Sequence, residues 1–216
     1  CTSLRQISIP SSVTSIGNNA FYNCTSLTQI SIPSSVTSIG ELAFSSCTSL
    51  KEVSINAPSI ILHSHAFAEC SLLEYVTFNA DATKMDNKCF YKCFSLKQVF
   101  FNDANEIHLI GKKCFKGCSS LIEIPTFKSF ERFPNGSFFK CSSLTHVTIP
   151  STCRFIDRKA FKECISLKQI IYENNKSSIV MIGDNAFFGC SSLEQFSIPY
   201  SVDRIGEGSF SQCKSL

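Results

Sequence analysis

The sequence predicts a repeat solenoid that is mainly β, an α/β-type coil with one parallel sheet and short helical or 3₁₀ turns opposite it. The first observation is a cysteine that recurs at a nearly fixed interval, 23 residues in seven of nine cases and 25 or 26 in the other two. The second is the unit between the cysteines, S-L-x-x-I-x-I-P-x-S-V-x-x-I-G-x-x-A-F, as read from Ser26 to Phe44. The recurring cysteines are Cys1, Cys24, Cys47, Cys70, Cys93, Cys118, Cys141, Cys164, Cys190 and Cys213.

Each part of the unit predicts one part of a coil. In the first repeat, Ile7 and Ile9 alternate with polar residues, which is typical of a short strand with one buried face. Pro10 ends that strand, because proline cannot donate to a β-ladder. Ile16 then points inward on the return path, and Phe21 closes a single helical or 3₁₀ turn. A period of 20 to 29 residues that carries L-x-x-apolar-x-apolar predicts a right-handed leucine-rich-repeat coil.

The periodicity predicts one domain over residues 1–216, made of nine repeats of 23–26 residues and a partial tenth. Because the chain begins and ends in mid-repeat, we expect it to be a fragment of a longer array. It contains no apolar run of about 18 residues, so we predict no membrane span. A net charge of +3 is too small to indicate nucleic acid by composition alone.

The thirteen cysteines are expected to be reduced and buried. Ten occupy one repeat position, and neighbouring strands lie about 4.8 Å apart, just outside the roughly 3.5–4.5 Å between Cβ atoms that a disulfide needs. The other three, Cys89, Cys114 and Cys153, replace an alanine or a valine of the unit. Disulfides or a metal site remain the alternatives.

The unit from Ser26 to Cys47 resembles the BspA-type (Treponema pallidum-type) leucine-rich repeat, and the resemblance extends along the whole chain, with departures between Cys70 and Lys140. Such repeats occur in bacterial surface adhesins and in parasitic protists such as Trichomonas and Entamoeba. The resemblance implies binding to host proteins, matrix or other cells, without catalysis, and presentation at the cell surface. It carries over no functional residues, since the motif residues form the core.

Candidate binding residues lie where strand positions six, eight and ten of each repeat face outward on the predicted concave side. These positions are short and polar near the two ends of the chain and larger in the middle repeats. Aromatic side chains on a polar surface are typical of binding hot spots. Alternatively, the phenylalanines are covered by loops or mark a one-residue register shift. The candidates are Tyr75, Phe100, Phe127, His146 and Ile171.

A second candidate surface is basic. Because equivalent positions stack in successive repeats, cations near the Ala-Phe pair are expected to form a stripe along one flank, which could meet acidic glycans, an anionic membrane or nucleic acid. We predict no aromatic residues between these cations of the kind that single-strand binders use. The alternative is a solvated flank. The cations are Lys88, Lys92, Lys112, Lys113, Lys116, Lys140, Arg158, Lys159 and Lys162.

Catalysis is not expected. The four histidines have no metal-ligand spacing, and the chain has no phosphate loop, dinucleotide fingerprint or nucleophile elbow. We therefore predict no enzyme activity, no cofactor and no metal. The predicted function is a protein-interaction or adhesion module at the cell surface, with a protein or glycan ligand on another cell or matrix and no nucleic acid. The alternative is an intracellular scaffold or spacer in the cytoplasm, which free core thiols would favour.

Overall fold

The computed structural model describes residues 1–79, 82–101, 106–124 and 130–216. Each repeat forms one coil of a mainly β solenoid, and all described strand pairs are parallel. The described strands are β1 (Ser15–Ile16), β2 (Gln29–Ile32), β3 (Ser38–Ile39), β4 (Glu52–Ile55), β5 (Ser59–Leu62), β6 (Tyr75–Phe78), β7 (Ala82–Met85), β8 (Gln98–Phe101), β9 (Glu106–Ile110), β10 (Arg132–Phe133), β11 (His146–Ile149), β12 (Phe155–Ile156), β13 (Gln169–Tyr172), β14 (Met181–Ile182) and β15 (Arg204–Ile205).

The first sheet is formed by the strands that precede the repeat's proline. It comprises β2, β4, β6 and β8, paired in register, and continues after a break with β11 and β13. In β2, Ile30 and Ile32 are buried and the intervening side chains are exposed. This alternation follows from the period of two along a strand, and it confirms the predicted strand with one buried face.

A second sheet runs along the V-x-x-I-G part of each repeat, which the sequence analysis had read only as an inward-pointing return path. It comprises β1, β3, β5, β7 and β9, then β10, β12, β14 and β15. Stacking of equivalent residues brings the backbones of successive coils within hydrogen-bonding range, so a second ladder forms. Gly40, which follows β3, allows the preceding coil to approach closely, because a Cβ atom on this residue would lie 2.5 Å from Asn18 Oδ1.

The Ala-Phe segments form successive turns that do not extend into helices. In each described coil, the residues two before and two after the phenylalanine have positive φ, as Asn19 and Asn23 do around Phe21. A left-handed residue interrupts a right-handed helix, so only single i to i−3 bonds close each turn. The backbone N–H of Phe21 instead donates to Ala43 in the next coil at 2.7 Å. Within the described residues the only helix is a 3₁₀ turn at Glu173–Asn175.

The core is organised by two ladders. Nine phenylalanines stack face to face, with centroid separations of 4.9–5.6 Å and interplanar angles of 2–9°. Beside them the recurring cysteines from Cys47 onward donate their S–H groups to a phenylalanine carbonyl of the preceding coil, for example Cys70 to Phe44 at 3.1 Å. All thirteen cysteines are free and eleven are buried, as expected. The exceptions are Cys1, which is exposed, and Cys213, which is half-buried, because each lies in an outermost coil.

The sixth repeat interrupts both sheets but not the solenoid. Among the described residues, β8 does not pair with β11, and β9 does not pair with β10. Two bulky side chains, Phe130 and Phe133, are buried there and pack edge to face at 5.0 Å. The turns continue across the gap, since Phe115 donates its N–H to Ser137 at 2.8 Å. Hydrogen bonding between successive coils therefore continues along the turn segments where the two sheets are interrupted.

Candidate interaction surfaces

The outward face of the first sheet carries an aromatic pair. Tyr75 lies on β6 and Phe100 on β8, and their ring centroids are 6.2 Å apart at an interplanar angle of 25°. The strands are in register, with Thr77 opposite Phe100, so no register shift turns Phe100 inward. Its side chain is 43% exposed, so no loop of the described chain covers it. Lys97 Nζ lies 5.5 Å from the Tyr75 ring centroid.

A shallow polar groove adjoins this pair on the same face. It has a volume of about 690 Å³ and reaches from the first coil to the fourth, where Tyr75 and Thr77 line its end. The polar lining residues were not among the predicted binding residues, which were all large side chains, although their outward positions could be recognised from the sequence. The missed polar residues include Gln29, Ser31, Glu52, Ser54 and Asn56.

The groove's edge is ordered by asparagines that replace the repeat's proline. Asn79 Nδ2 donates to Asn56 Oδ1 at 2.8 Å, and Asn56 Nδ2 donates to Ser31 Oγ at 3.2 Å. The three residues belong to three successive coils, so the polar rim is held in place before any ligand arrives.

The remaining candidates do not all join this pair. His146 on β11 is exposed, and Ile171 on β13 is 38% exposed opposite Thr148. They lie on neighbouring strands beyond the break in the sheet, apart from Tyr75 and Phe100. Phe127 lies outside the described residues. The structure thus places Tyr75 and Phe100 in contact on one part of the first sheet, and His146 and Ile171 on neighbouring strands of the other part.

The nine cations of the basic flank all lie on the turn segments. Three of them form ion pairs: Lys92 with Glu69 at 3.4 Å, and Lys140 and Lys162 with Glu163 at 3.6 and 3.9 Å. Such surface pairs contribute little to stability. The other six, Lys88, Lys112, Lys113, Lys116, Arg158 and Lys159, have no carboxylate within 4 Å in the described parts of the chain.

Aromatic residues do lie between these cations, but their rings pack against the lysine ammonium groups. The residues directly after the stacked phenylalanines form a row in which aromatic and basic side chains alternate from the fourth coil to the eighth. Lys116 Nζ lies 5.8 Å from the Tyr91 centroid and 4.7 Å from the Phe139 centroid. Lys162 Nζ lies 5.9 Å from Phe139 and 4.2 Å from Phe188. The sequence did contain this signal, which appears when the coils are aligned on the phenylalanine.

The cations also affect one another. Arg158 lowers the pKa of Lys159, with further contributions from the partial desolvation of its ammonium group and from Lys162, Lys113 and Lys116. Like charges close together lower the pKa of a lysine, since each disfavours the charged form of the others.

The structure offers no set of side chains suited to metal chemistry among the residues it describes, where no three His, Cys, Asp or Glu side chains group together. The buried thiols are also poor nucleophiles. Burial raises the pKa of the Cys47, Cys153 and Cys164 thiols to about 12, and only the thiolate is reactive. No helix in the described ranges is long and apolar enough to cross a membrane.

The BspA-type leucine-rich repeat region matches this chain in six copies, over residues 1–122 and 108–216. The chain belongs to the BspA-type leucine-rich repeat family. The resemblance seen in the sequence from Ser26 to Cys47 is confirmed.

Solved structures of similar repeat proteins agree with this fold. The leucine-rich repeat protein of T. pallidum (TpLRR) is 24% identical, with a TM-score of 0.53 over 94% of this chain and 72% of that chain. A leucine-rich repeat protein from Eubacterium ventriosum is 16% identical, with a TM-score of 0.51 over 94% of this chain and 81% of that chain. At these identities the likeness shows the fold alone. The comparison with curated proteins found no match.

Proposed function

We propose that this BspA-type repeat chain is a non-catalytic interaction or adhesion module that binds a host or cell-surface protein through the outward face of the first sheet. The observation that carries the proposal is the Tyr75–Phe100 pair, which stands at the end of a preformed polar groove. Aromatic anchors surrounded by polar residues are the arrangement in which a few side chains supply most of the binding energy.

The Tyr75–Phe100 pair is suited to binding because its side chains are already held in place before a partner docks. Tyr75 is half-buried between Phe100 and the Lys97 side chain, and Lys97 is itself held by Glu74 at 2.6 Å. Side chains fixed before binding lose less conformational freedom when a partner docks. A partner that covers the exposed part of Phe100 would bury apolar area and meet the groove with its polar groups.

His146 and Ile171 extend the proposed surface beyond the break in the sheet. Both face outward on β11 and β13, so a large protein partner could contact both parts of the sheet. Phe127 belongs to the sixth repeat, which separates the two parts of the sheet in the sequence, and it is retained in the proposal on its sequence position alone.

The proposed location is the cell surface, which follows from the family. The free cysteines do not favour the cytoplasm over the surface, because eleven of the thirteen are buried and their thiols are shielded from oxidants. Burial alone therefore explains how the chain could keep reduced cysteines in an oxidising environment.

The experiment is a binding assay against purified extracellular-matrix proteins and whole cells with the double variant Tyr75→Gln/Phe100→Ser. Both replacements restore residues that other coils carry at the same positions, Gln29 and Ser31, so the fold is retained. We expect at least about a tenfold loss of affinity, as hot-spot truncation gives, with an unchanged unfolding temperature.

The matched control is Tyr22→Ser/Phe94→Ser, which removes one tyrosine and one phenylalanine away from the sheet face. These side chains are 49% and 48% exposed, and Ser45 and Ser71 occupy their positions in other coils. The control should bind like the unmodified chain. Equal losses in both variants would refute the sheet-face proposal, and no binding by any variant would favour the spacer alternative.

A further inference from the structure

We propose that the turn side of the solenoid is a second binding site, separate from the sheet face, and that it takes a linear anionic polysaccharide. Two adjoining clefts lie there, with volumes of about 360 and 240 Å³. They share Lys113 and Asn135, so they form one continuous trough, which we call the basic trough. Its cations are Lys88, Lys112, Lys113, Lys116, Arg158 and Lys159.

The trough contains the same six cations that lack an ion pair with any carboxylate that the structure describes. The three paired cations of the flank, Lys92, Lys140 and Lys162, do not line it. One carboxylate, that of Glu41, lies at its edge. Among the described residues, the arrangement therefore leaves a row of cations without ion-pair partners in a concave channel, where low-dielectric walls concentrate the field and attract an anion. The lowered pKa of Lys159 is consistent with this crowding, which an anionic ligand would relieve.

The trough is linear because it crosses successive coils. From the coil of Lys88 to that of Lys159 there are three steps, and the stacked core rings place neighbouring coils 5.4–5.6 Å apart. The fourth coil contributes one of the trough cations, the fifth coil three and the seventh coil two, while the sixth coil lines the trough with Asn135, Gly136 and Phe139. A ligand that fills this channel must be extended and must carry negative charges along its length, as an anionic polysaccharide does.

The side chains between the charges suit a sugar. Asn87 Oδ1 accepts a hydrogen bond from the backbone N–H of Lys112 at 2.8 Å. The NH₂ group of Asn87 therefore points away from that hydrogen bond. Asn135 makes no side-chain hydrogen bond to another described residue, so its amide can donate to and accept from hydroxyl groups. Phe139 is half-buried and supplies an apolar ring edge to the lining of the second cleft. Hydroxyls, anionic groups and the apolar face of a sugar ring therefore each have a counterpart.

Nucleic acid fits less well, although cations and aromatic residues alternate beside the trough. Single-strand binders stack bases on free aromatic faces. Here the Phe139 ring already has Lys116 and Lys162 against it, with ammonium groups 4.7 and 5.9 Å from its centroid. The rings hold the lysines in place and do not offer platforms for bases. A flat anionic membrane would not enter a recessed channel.

The test measures binding of heparin, a sulfated and carboxylated polysaccharide, to the whole chain at physiological ionic strength. The trough variant is Lys113→Asn/Lys116→Ser/Lys159→Asn. Other coils carry Asn19, Ser45 and Asn185 at these positions, and asparagine tolerates the positive φ of 58° that Lys113 and Lys159 adopt. We expect the unmodified chain to bind heparin and the variant to lose roughly tenfold or more in affinity, as loss of several polyanion contacts gives.

The matched control removes the same charge elsewhere. The control variant is Lys51→Thr/Lys168→Thr/Lys214→Thr, in which all three lysines are exposed and lie outside the trough. Other coils carry threonine at the equivalent positions, as Thr28, Thr145 and Thr25. Heparin binding should be retained. Equal losses in both triple variants would overturn the proposal, because net charge alone would then account for the binding.

A second comparison tests the arrangement with charge held constant. Tyr91→Ala replaces a ring that packs against Lys88, Lys92 and Lys116 with the residue found at Ala68. We expect weaker heparin binding, since the ammonium groups lose a fixed position. Binding of oligodeoxythymidylate, poly-glutamate or anionic phospholipid vesicles as tight as that of heparin, or no heparin binding, would overturn the assignment to a polysaccharide.

Discussion

Raising the pH should unfold this protein through its buried cysteines. Nine thiols are completely buried and have raised pKa values, because burial disfavours the thiolate. Their S–H groups are also donors to backbone carbonyls, which a thiolate could not be. The nine are Cys47, Cys70, Cys89, Cys93, Cys118, Cys141, Cys153, Cys164 and Cys190.

The sign of the effect follows from linkage. Below the ordinary thiol pKa of 9.0, cysteines are protonated in both the folded and the unfolded chain, so the stability is fully present. Above it the unfolded chain releases protons and the folded chain keeps them, since folded thiols such as Cys47 have a pKa of about 12. The free energy of unfolding therefore falls as the pH rises from about 9 toward 12.

The magnitude is large because the contributions add. Each buried thiol should cost roughly half a kcal/mol of stability at pH 9 and a little over 1 kcal/mol at pH 10, from linkage with an unfolded pKa near 9. Nine thiols that all stay protonated in the folded chain would remove about 4 kcal/mol at pH 9 and at most about 12 kcal/mol at pH 10. A typical domain has about 5–15 kcal/mol in total. We expect cooperative unfolding between these two pH values.

The assay is urea unfolding followed by circular dichroism at several pH values between 7.5 and 9.5, with a reductant present. The variant Cys47→Ala/Cys141→Ala should show a pH dependence smaller by about two parts in nine, whereas Cys1→Ala, at an exposed thiol, should match the unmodified chain. A thiol reagent should label Cys1 in the native protein and all thirteen cysteines only after unfolding. Stability independent of pH up to 9.5, or equal slopes in all three proteins, would refute the reasoning.

Two further predictions concern the turn side. Phe44→Ala should lower the free energy of unfolding by about 3–5 kcal/mol, as buried aromatic deletions do, because its ring stacks between Phe21 and Phe67 at 4.9 and 5.1 Å; a loss below about 1 kcal/mol in urea unfolding would contradict a core role. Ser46 and Gly117 occupy the same left-handed position, with φ of 61° and 83°. Ser46→Gly should be neutral or stabilising by up to about 1 kcal/mol, and Gly117→Ala should cost about 1–2 kcal/mol; thermal unfolding that ranks the two variants in the opposite order would contradict the assigned strain.

The first-sheet strands, their inward side and the cysteine ladder could be read from the sequence, because each follows from a short-range pattern repeated at a fixed interval. The alternation of Ile30 and Ile32 with polar residues is local information, and repetition removes the ambiguity that a single short run would have. The second sheet could not be read in this way. The segment Ser38–Ile39 is only two residues long and pairs solely because the next coil stacks on it.

The candidate surfaces show the same division. The alternation of side chains along a strand was enough to predict that Tyr75 and Phe100 face outward. Their ring contact could not be predicted, because it joins position six of one repeat to position eight of the next and depends on the stagger between the two strands. The aromatic and basic row on the turns was missed for a related reason. Tyr91, Lys116 and Phe139 are far apart along the chain, and only stacking makes them neighbours.

The sequence by itself therefore determined the repeat, the buried residues and the family of this chain, since periodic apolar positions specify which side chains a coil must hide. The tertiary structure alone decided which cations pair with the described carboxylates, where the polar groove and the basic trough lie, and which turn residues become left-handed. These properties depend on the distance and the stagger between successive coils. Both are determined by contacts between residues that are more than twenty positions apart in the sequence.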